Sequence, residues 1–234
     1  MDSERVSSSQ RRSFLSRLNT GAAALASFAV GRVANAQTKA ATKFEPMRHQ
    51  KDDWLDELPG KHRLLFDTTS ADAMSKAVLF ANNFKRVNRT DYGLQDSDSA
   101  VVIVVRHRSA AFGYNDAMWA KYGESIAKRI NYEDPKTHSV PKTNPFNTAG
   151  GGDGTPDGAT TIDSLAKQGV QFAVCASATR AIAGAIAKAT GGETDAIFAE
   201  LSANLVNKNA RLVPAGIVAV NRAQERGYSL ATAV

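Results

Sequence analysis

The sequence predicts an α/β protein in three layers with a mainly parallel sheet. From Arg63 onward, short apolar runs alternate with segments whose apolar residues recur at helical spacing. One run, Ala100 to Val105, is apolar on both faces, which suits the middle of a parallel sheet covered by helices on each side. The chain has 234 residues, 43% hydrophobic, 22% charged and with one cysteine, so it can bury a real core and is neither disulfide-stapled, collagen-like nor disordered.

Residues 1–36 stand apart from this pattern. A polar stretch leads to Arg11-Arg12-Ser13-Phe14-Leu15, an alanine-rich weakly apolar run follows, and Ala34-Asn35-Ala36 presents small residues to a signal peptidase. The segment resembles a twin-arginine export signal, with Gln10 and Ser16 departing from the commonest residues around the arginine pair. Its apolar run is too short to span a bilayer stably. The expectation is cleavage after Ala36 and a periplasmic protein with no membrane attachment.

Loss of 1–36 changes the charge argument. The full chain carries +6, but the remainder has 24 basic and 21 acidic side chains, a charge of +3. No dense basic stripe with interleaved aromatics is left, so nucleic acid is not an expected partner.

Residues 37–60 read as an extended lead-in anchored by Trp54 and Leu55, and 61–234 as a single domain. A strand is predicted over 63–67, closed by Thr68-Thr69-Ser70, a good helix N-cap region. Met74, Ala77, Val78, Ala81 and Phe84 then give one helical face, and Asp91-Tyr92-Gly93 a turn. After the strand at 100–105 a helix is predicted over 114–121. Residues 131–159 form a Pro/Gly-rich insert, read as a flexible surface loop with a lid over the active site as the alternative. A helix over 160–168, a strand over 170–175, and a helix capped by Ser177 with Ala178, Ile182, Ala185 and Ile186 on its apolar face come next. Gly191-Gly192 ends that helix, and another starts at Thr194 or Asp195. The chain closes with a strand over 211–213, a helix from Gly216 to about Arg226 stopped by Gly227, and a strand over 228–233.

In an open parallel sheet ligands bind beyond the carboxyl ends of the strands. Cys175 ends a strand and stands immediately before a helix, where free amides and the positive end of the dipole favour thiolate over thiol. Arg106 and His107, at another strand end, are candidates to line the same site, with Ser177 and Thr179 beyond the cysteine completing it. On composition alone the favoured reading of Cys175 is a small buried hydrophobe continuing Val170, Phe172 and Val174. No cofactor is expected, since Gly150-Gly151-Gly152-Asp153-Gly154 lacks the Gly-Lys-Ser/Thr ending of a phosphate loop and follows no strand. No metal is expected either, because the four histidines and lone cysteine lack ligand spacing.

The stretch Gly169-Val170-Gln171-Phe172-Ala173-Val174-Cys175, the turn Leu212-Val213-Pro214-Ala215-Gly216-Ile217-Val218 and the closing Gln224-Glu225-Arg226-Gly227-Tyr228 together resemble the DsrE/DsrF-like family. The resemblance implies a flavodoxin-like fold, homo-oligomers (trimers or hexamers) and a sulfur-relay role in which Cys175 carries sulfur as a persulfide. It also implies a sulfur-donor or sulfur-acceptor protein as partner. Two departures matter: the characterised relay members are cytoplasmic, and this chain carries both an export signal and a long insert. The expected function is therefore an exported sulfane-sulfur carrier, with sulfurtransferase-like chemistry at Cys175. The alternative is a non-catalytic oligomeric binding module with a buried cysteine, and less favoured is a redox sensor in which Cys175 oxidises or pairs between subunits.

Overall fold

A computed structural model of the protein describes residues 44–147 and 160–233. The chain divides into units Met1–Glu45 and Pro46–Val234. Of the first unit only residues 44 and 45 are described, both exposed, so the segment read as an export signal and its expected cleavage site lie outside the described residues.

The second unit begins with a 3-10 turn, Gln50–Asp52, and a single-turn helix α1, Trp54–Glu57. Residues of the lead-in expected to be extended are thus partly helical, while Trp54 and Leu55 are buried as anticipated. The elements that follow are β1 His62–Thr68, α2 Ala71–Tyr92, β2 Ser99–Val105, a 3-10 segment His107–Gly113, α3 Asp116–Ile130, α4 Ile162–Lys167, β3 Gln171–Cys175, α5 Ala176–Thr190, α6 Thr194–Ala203, β4 Ala210–Val213, α7 Gly216–Gln224 and β5 Ser229–Thr232.

The five strands form one sheet in the order β4-β3-β2-β1-β5, with every pair parallel. This is the three-layer, flavodoxin-like α/β fold. Strand side chains alternate between faces, which sorts the core into two layers. Phe66, Val101, Ile103, Val105, Phe172 and Val174 pack with residues of α2, α3, α5 and α6. Leu65, Val102, Val104, Ala173 and Val213 pack on the other side against α1 and α7. All seven residues of β2 are buried, as its two-sided apolar run requires.

Local chemistry sets the helix ends. Ser70 Oγ accepts the Ala73 amide at 3.1 Å to open α2, and Gly93, in the left-handed region at φ 67°, closes it. Helix α3 is longer than the 114–121 predicted, because Asn115 caps its start and Asn131 takes the left-handed closing position at φ 54°. Gly123 inside it lets Pro141 O approach: a Cβ there would lie 2.8 Å from that oxygen.

The first part of the insert, 131–147, has no helix or strand but packs on the domain. Asn144 is fully buried, with Nδ2 donating to Phe112 O and Tyr114 O at 2.8 and 2.7 Å, and Phe146 meets Phe112 edge-on at 4.6 Å. The glycine-rich remainder, read as a loop or lid, lies outside the described residues.

The lead-in is tied down by polar contacts with the C-terminal elements. The Arg226 side chain, with none of its surface exposed, donates from Nε to Asp56 at 2.9 Å, and Tyr228 Oη donates to Leu55 O at 2.8 Å. Burial, with Asp56 close by, outweighs the nearby arginines and pushes the Tyr228 phenol up to about 12. A folded-state pKa raised above the ordinary value near 10 keeps its stabilisation in full below that value and loses it as pH climbs toward 12. Tyr228→Phe is expected to cost about 1 kcal/mol at neutral pH and to flatten the loss of stability between roughly pH 10 and 12. Urea unfolding at a series of alkaline pH values measures both, and an unchanged pH slope would refute the assignment.

Candidate functional site

The winding of the sheet places the site. Connections β1 to β2, β2 to β3 and β3 to β4 run along the first face, through α2, α3–α4 and α5–α6, while β4 continues into α7 on the second. Helices leaving the neighbouring strands β3 and β4 therefore diverge to opposite faces, and such a divergence opens a crevice at the strands' carboxyl ends. A cavity of about 310 Å³ occupies that place, lined by Cys175, Ser177 and Ala178 from one side and Ala215, Gly216 and Ile217 from the other.

Cys175 is the last residue of β3 and the N-cap of α5, with Sγ accepting the Ala178 amide at 3.4 Å. The cap assigned to Ser177 from the sequence is thus corrected. The sulfur occupies the cap, α5 starts at Ala176, and Ser177 Oγ instead donates to Pro214 O at 3.1 Å, bridging the two walls of the crevice. Cys175 is 6% exposed, and that remnant lies on the cavity.

Thr179 does not line the cavity. It is fully buried one turn into α5, where Oγ1 donates to Cys175 O at 2.9 Å and accepts the Tyr114 hydroxyl at 3.0 Å. Its place facing a ligand is therefore replaced by a supporting one, since the chain Tyr114, Thr179, Cys175 carbonyl fixes the cysteine backbone. Tyr114 is buried as well, and desolvation raises its pKa, so the phenol stays a donor.

Arg106 follows β2 and crosses the crevice. Its Nε and Nη2 donate to the two carboxylate oxygens of Asp67, at the end of β1, at 2.7 and 2.8 Å. These hydrogen bonds hold the guanidinium pKa above its ordinary range, burial opposes, and the charges of Asp67 and Cys175 add to the upward shift. The Arg106 stem lies against Gly216, where a Cβ would come 2.5 Å from Arg106 Cβ. That close approach explains the glycine at the first position of α7.

His107 is exposed at the cavity, with its backbone at φ 56° in the left-handed region and its Nδ1 3.4 Å from Thr69 O. The structure thus brings Cys175, Arg106, His107 and Ser177 together and leaves Thr179 behind them. Sequence reasoning missed Arg129 and Ile130, which reach the cavity from the last turn of α3 beyond the predicted end of that helix. Arg108, next in sequence to the strand-end candidates Arg106 and His107, also lines it. None of the described aspartates or glutamates does.

Among the described residues no group of three or more His, Cys, Asp or Glu side chains is placed to hold a metal ion, and no helix is long and apolar enough to cross a membrane. Fold and site together define a parallel α/β protein with a cysteine at the base of a cationic crevice. The chain matches no family model, no curated protein and no solved structure.

Proposed function

We propose that this is a sulfur-handling protein of the DsrE/DsrF-like kind in which Cys175 accepts and passes on sulfane sulfur as a persulfide. The observation that carries this reading is the position of Cys175 Sγ, at the N-cap of α5 and on the wall of a crevice lined by Arg106, Arg108 and Arg129. In the transfer the Cys175 thiolate attacks the outer sulfur of a donor, the donor's bond to that sulfur breaks, and the leaving group departs with the electron pair. The persulfide anion formed lies beside the first turn of α5 and the Arg106 guanidinium, both of which favour negative charge. Attack by an acceptor thiol on the outer sulfur regenerates Cys175.

Export through the twin-arginine signal, periplasmic location and assembly into trimers or hexamers belong to the same proposal. Export rests on the residues around Arg11-Arg12. Assembly draws on Ile217 and Val218, which are 57% and 42% exposed beside the crevice.

Intact-mass spectrometry after exposure to a sulfane-sulfur donor should show a gain of about 32 Da, one sulfur atom, on the native chain and none on Cys175→Ser. Transfer that survives the substitution would sink the proposal. A second reading, a binding module with an inert cysteine, draws on the 6% exposure of Cys175 and predicts no gain on either protein and no native-state reaction with thiol reagents.

A further inference from the structure

We infer that the crevice takes an organic oxyanion with an apolar body, gripped at the mouth by Arg108 and Arg129. On the sulfur-transfer reading, on which this last step rests, the donor is an organic thiosulfonate.

Three observations support the inference. Of the four basic side chains on the cavity, Arg106 is engaged by Asp67, whereas Arg108 and Arg129 are exposed and their side chains have no hydrogen bond or ion pair among the described residues. They come from different elements, the 3-10 segment after β2 and the end of α3, so two arginines line one cavity from separate sides of the fold, a charge arrangement suited to the several oxygens of a sulfonate or carboxylate. With no carboxylate among the described residues that line the cavity, an anion meets attraction from every arginine there.

Apart from Cys175, Ser177 and Gly216, the rest of the lining is apolar: Ile130, Ala178, Ala181, Ile182, Ala215 and Ile217. A sulfate-sized ion would satisfy the arginines and leave this surface wetted, while an organic body covers it and gains by removing it from water. The volume, about 310 Å³, falls at the lower end of pockets that take organic ligands.

A thiosulfonate, R–SO2–S⁻, meets these requirements and balances without an outside oxidant. The Cys175 thiolate attacks the terminal sulfur, the S–S bond breaks, the sulfinate R–SO2⁻ leaves with the bonding pair, and Cys175 is left as the persulfide anion. Arg108 and Arg129 hold the oxygens of the departing sulfinate, and the apolar floor receives R.

The test separates binding from chemistry. Calorimetric titration of the full-length protein with benzenesulfonate, which has no transferable sulfur, should show binding at least about tenfold tighter than sulfate, and Arg108→Gln or Arg129→Gln should each weaken it about tenfold. Both arginines are exposed, so the variants are expected to fold, and circular dichroism checks that they do. Equal affinity for the two anions, or affinity indifferent to both substitutions, overturns the inference. Benzenethiosulfonate is then compared with thiosulfate as donor by intact mass. If benzenesulfonate binds as described but neither donor leaves sulfur on Cys175, the sulfur-transfer reading fails and the anion site stands. If sulfur is transferred but benzenesulfonate does not bind, the anion site fails and the transfer reading stands.

Discussion

Trp119→Ala is expected to lower stability by about 4 kcal/mol, the largest effect of any substitution considered, and to loosen the crevice although Trp119 does not touch it. Trp119 is fully buried in α3, stacked on Phe112 at 5.9 Å between ring centroids and 11° between planes, with Tyr132 edge-on at 6.5 Å. Its Nε1 donates to Ala111 O at 3.2 Å, so truncation leaves a large void and a buried carbonyl with only the longer Tyr114 amide contact at 3.4 Å. Phe112 and Ala111 belong to the 3-10 segment that begins at His107 and carries Arg108. A segment that loses its packing partner positions those side chains less well, and anion affinity should fall with stability. Thermal unfolding should show a drop in Tm of about 10 °C. Trp119→Phe keeps the stack but not the donor, and should cost about 1–2 kcal/mol. If alanine and phenylalanine proved equally mild, the aromatic cluster would not be what holds the segment.

Gly216→Ala follows in size, at about 2–3 kcal/mol. The added methyl would sit 2.5 Å from Arg106 Cβ and 2.9 Å from its Cδ. A Cβ is fixed to its backbone and cannot swing away, so either the end of β2 or the start of α7 must move. Either shift draws the guanidinium off Asp67, whose side chain is 16% exposed against 27% for Arg106, and disturbs the divide between β3 and β4. Gly184→Ala, in the middle of α5, serves as the control. The nearest atom to its added methyl is Thr194 Cγ2 at 3.9 Å, so helix propensity acts alone and the variant should gain about 0.5–1 kcal/mol. Urea midpoints of the two variants should move in opposite directions. A Gly216→Ala midpoint equal to that of the unaltered protein would mean that the Arg106 stem does not confine α7.

How far residues alone reveal this molecule depends on whether a signal is local. The two-sided apolar run of β2 and the face of α2 are properties of adjacent residues, and each is found where periodicity places it, whereas the turn read at Asp91-Tyr92-Gly93 starts later, because Asp91 and Tyr92 continue α2 and only Gly93 leaves it. The length of α3 was not legible, because its middle carries Tyr122 and Gly123, a poor helical signature that makes sense only once Pro141 is seen packed on Gly123. With its second half went Arg129 and Ile130. The lead-in gave its anchors but not its turns, since a short helix buried through Trp54 and Leu55 draws its stability from the sheet rather than from its own sequence.

The candidate site shows the same division. Cys175 and the Arg106-His107-Arg108 group stand at strand ends, which any strand prediction locates. That they share a crevice with residues 215–217 follows from the winding of the sheet, which no window of sequence contains. Ser177 was given the cap because serine is the commoner capping residue. The sulfur two residues earlier took it, and Thr179 turned inward to the Cys175 carbonyl.

The strand order also bears on when the molecule can exist at all. β1 is flanked by β2 on one edge and β5, the last strand, on the other, and the second face of the sheet is covered largely by α7 and Tyr228. A ribosome that has delivered everything up to β4 has made a sheet with one dressed face and one bare, showing Leu65, Val102, Val104 and Ala173 to water, and the lead-in without the Arg226 and Tyr228 contacts that fasten it. Folding of the domain therefore waits on the stretch from α7 to β5, and a nascent or truncated chain that lacks it carries an adhesive surface that the folded domain hides.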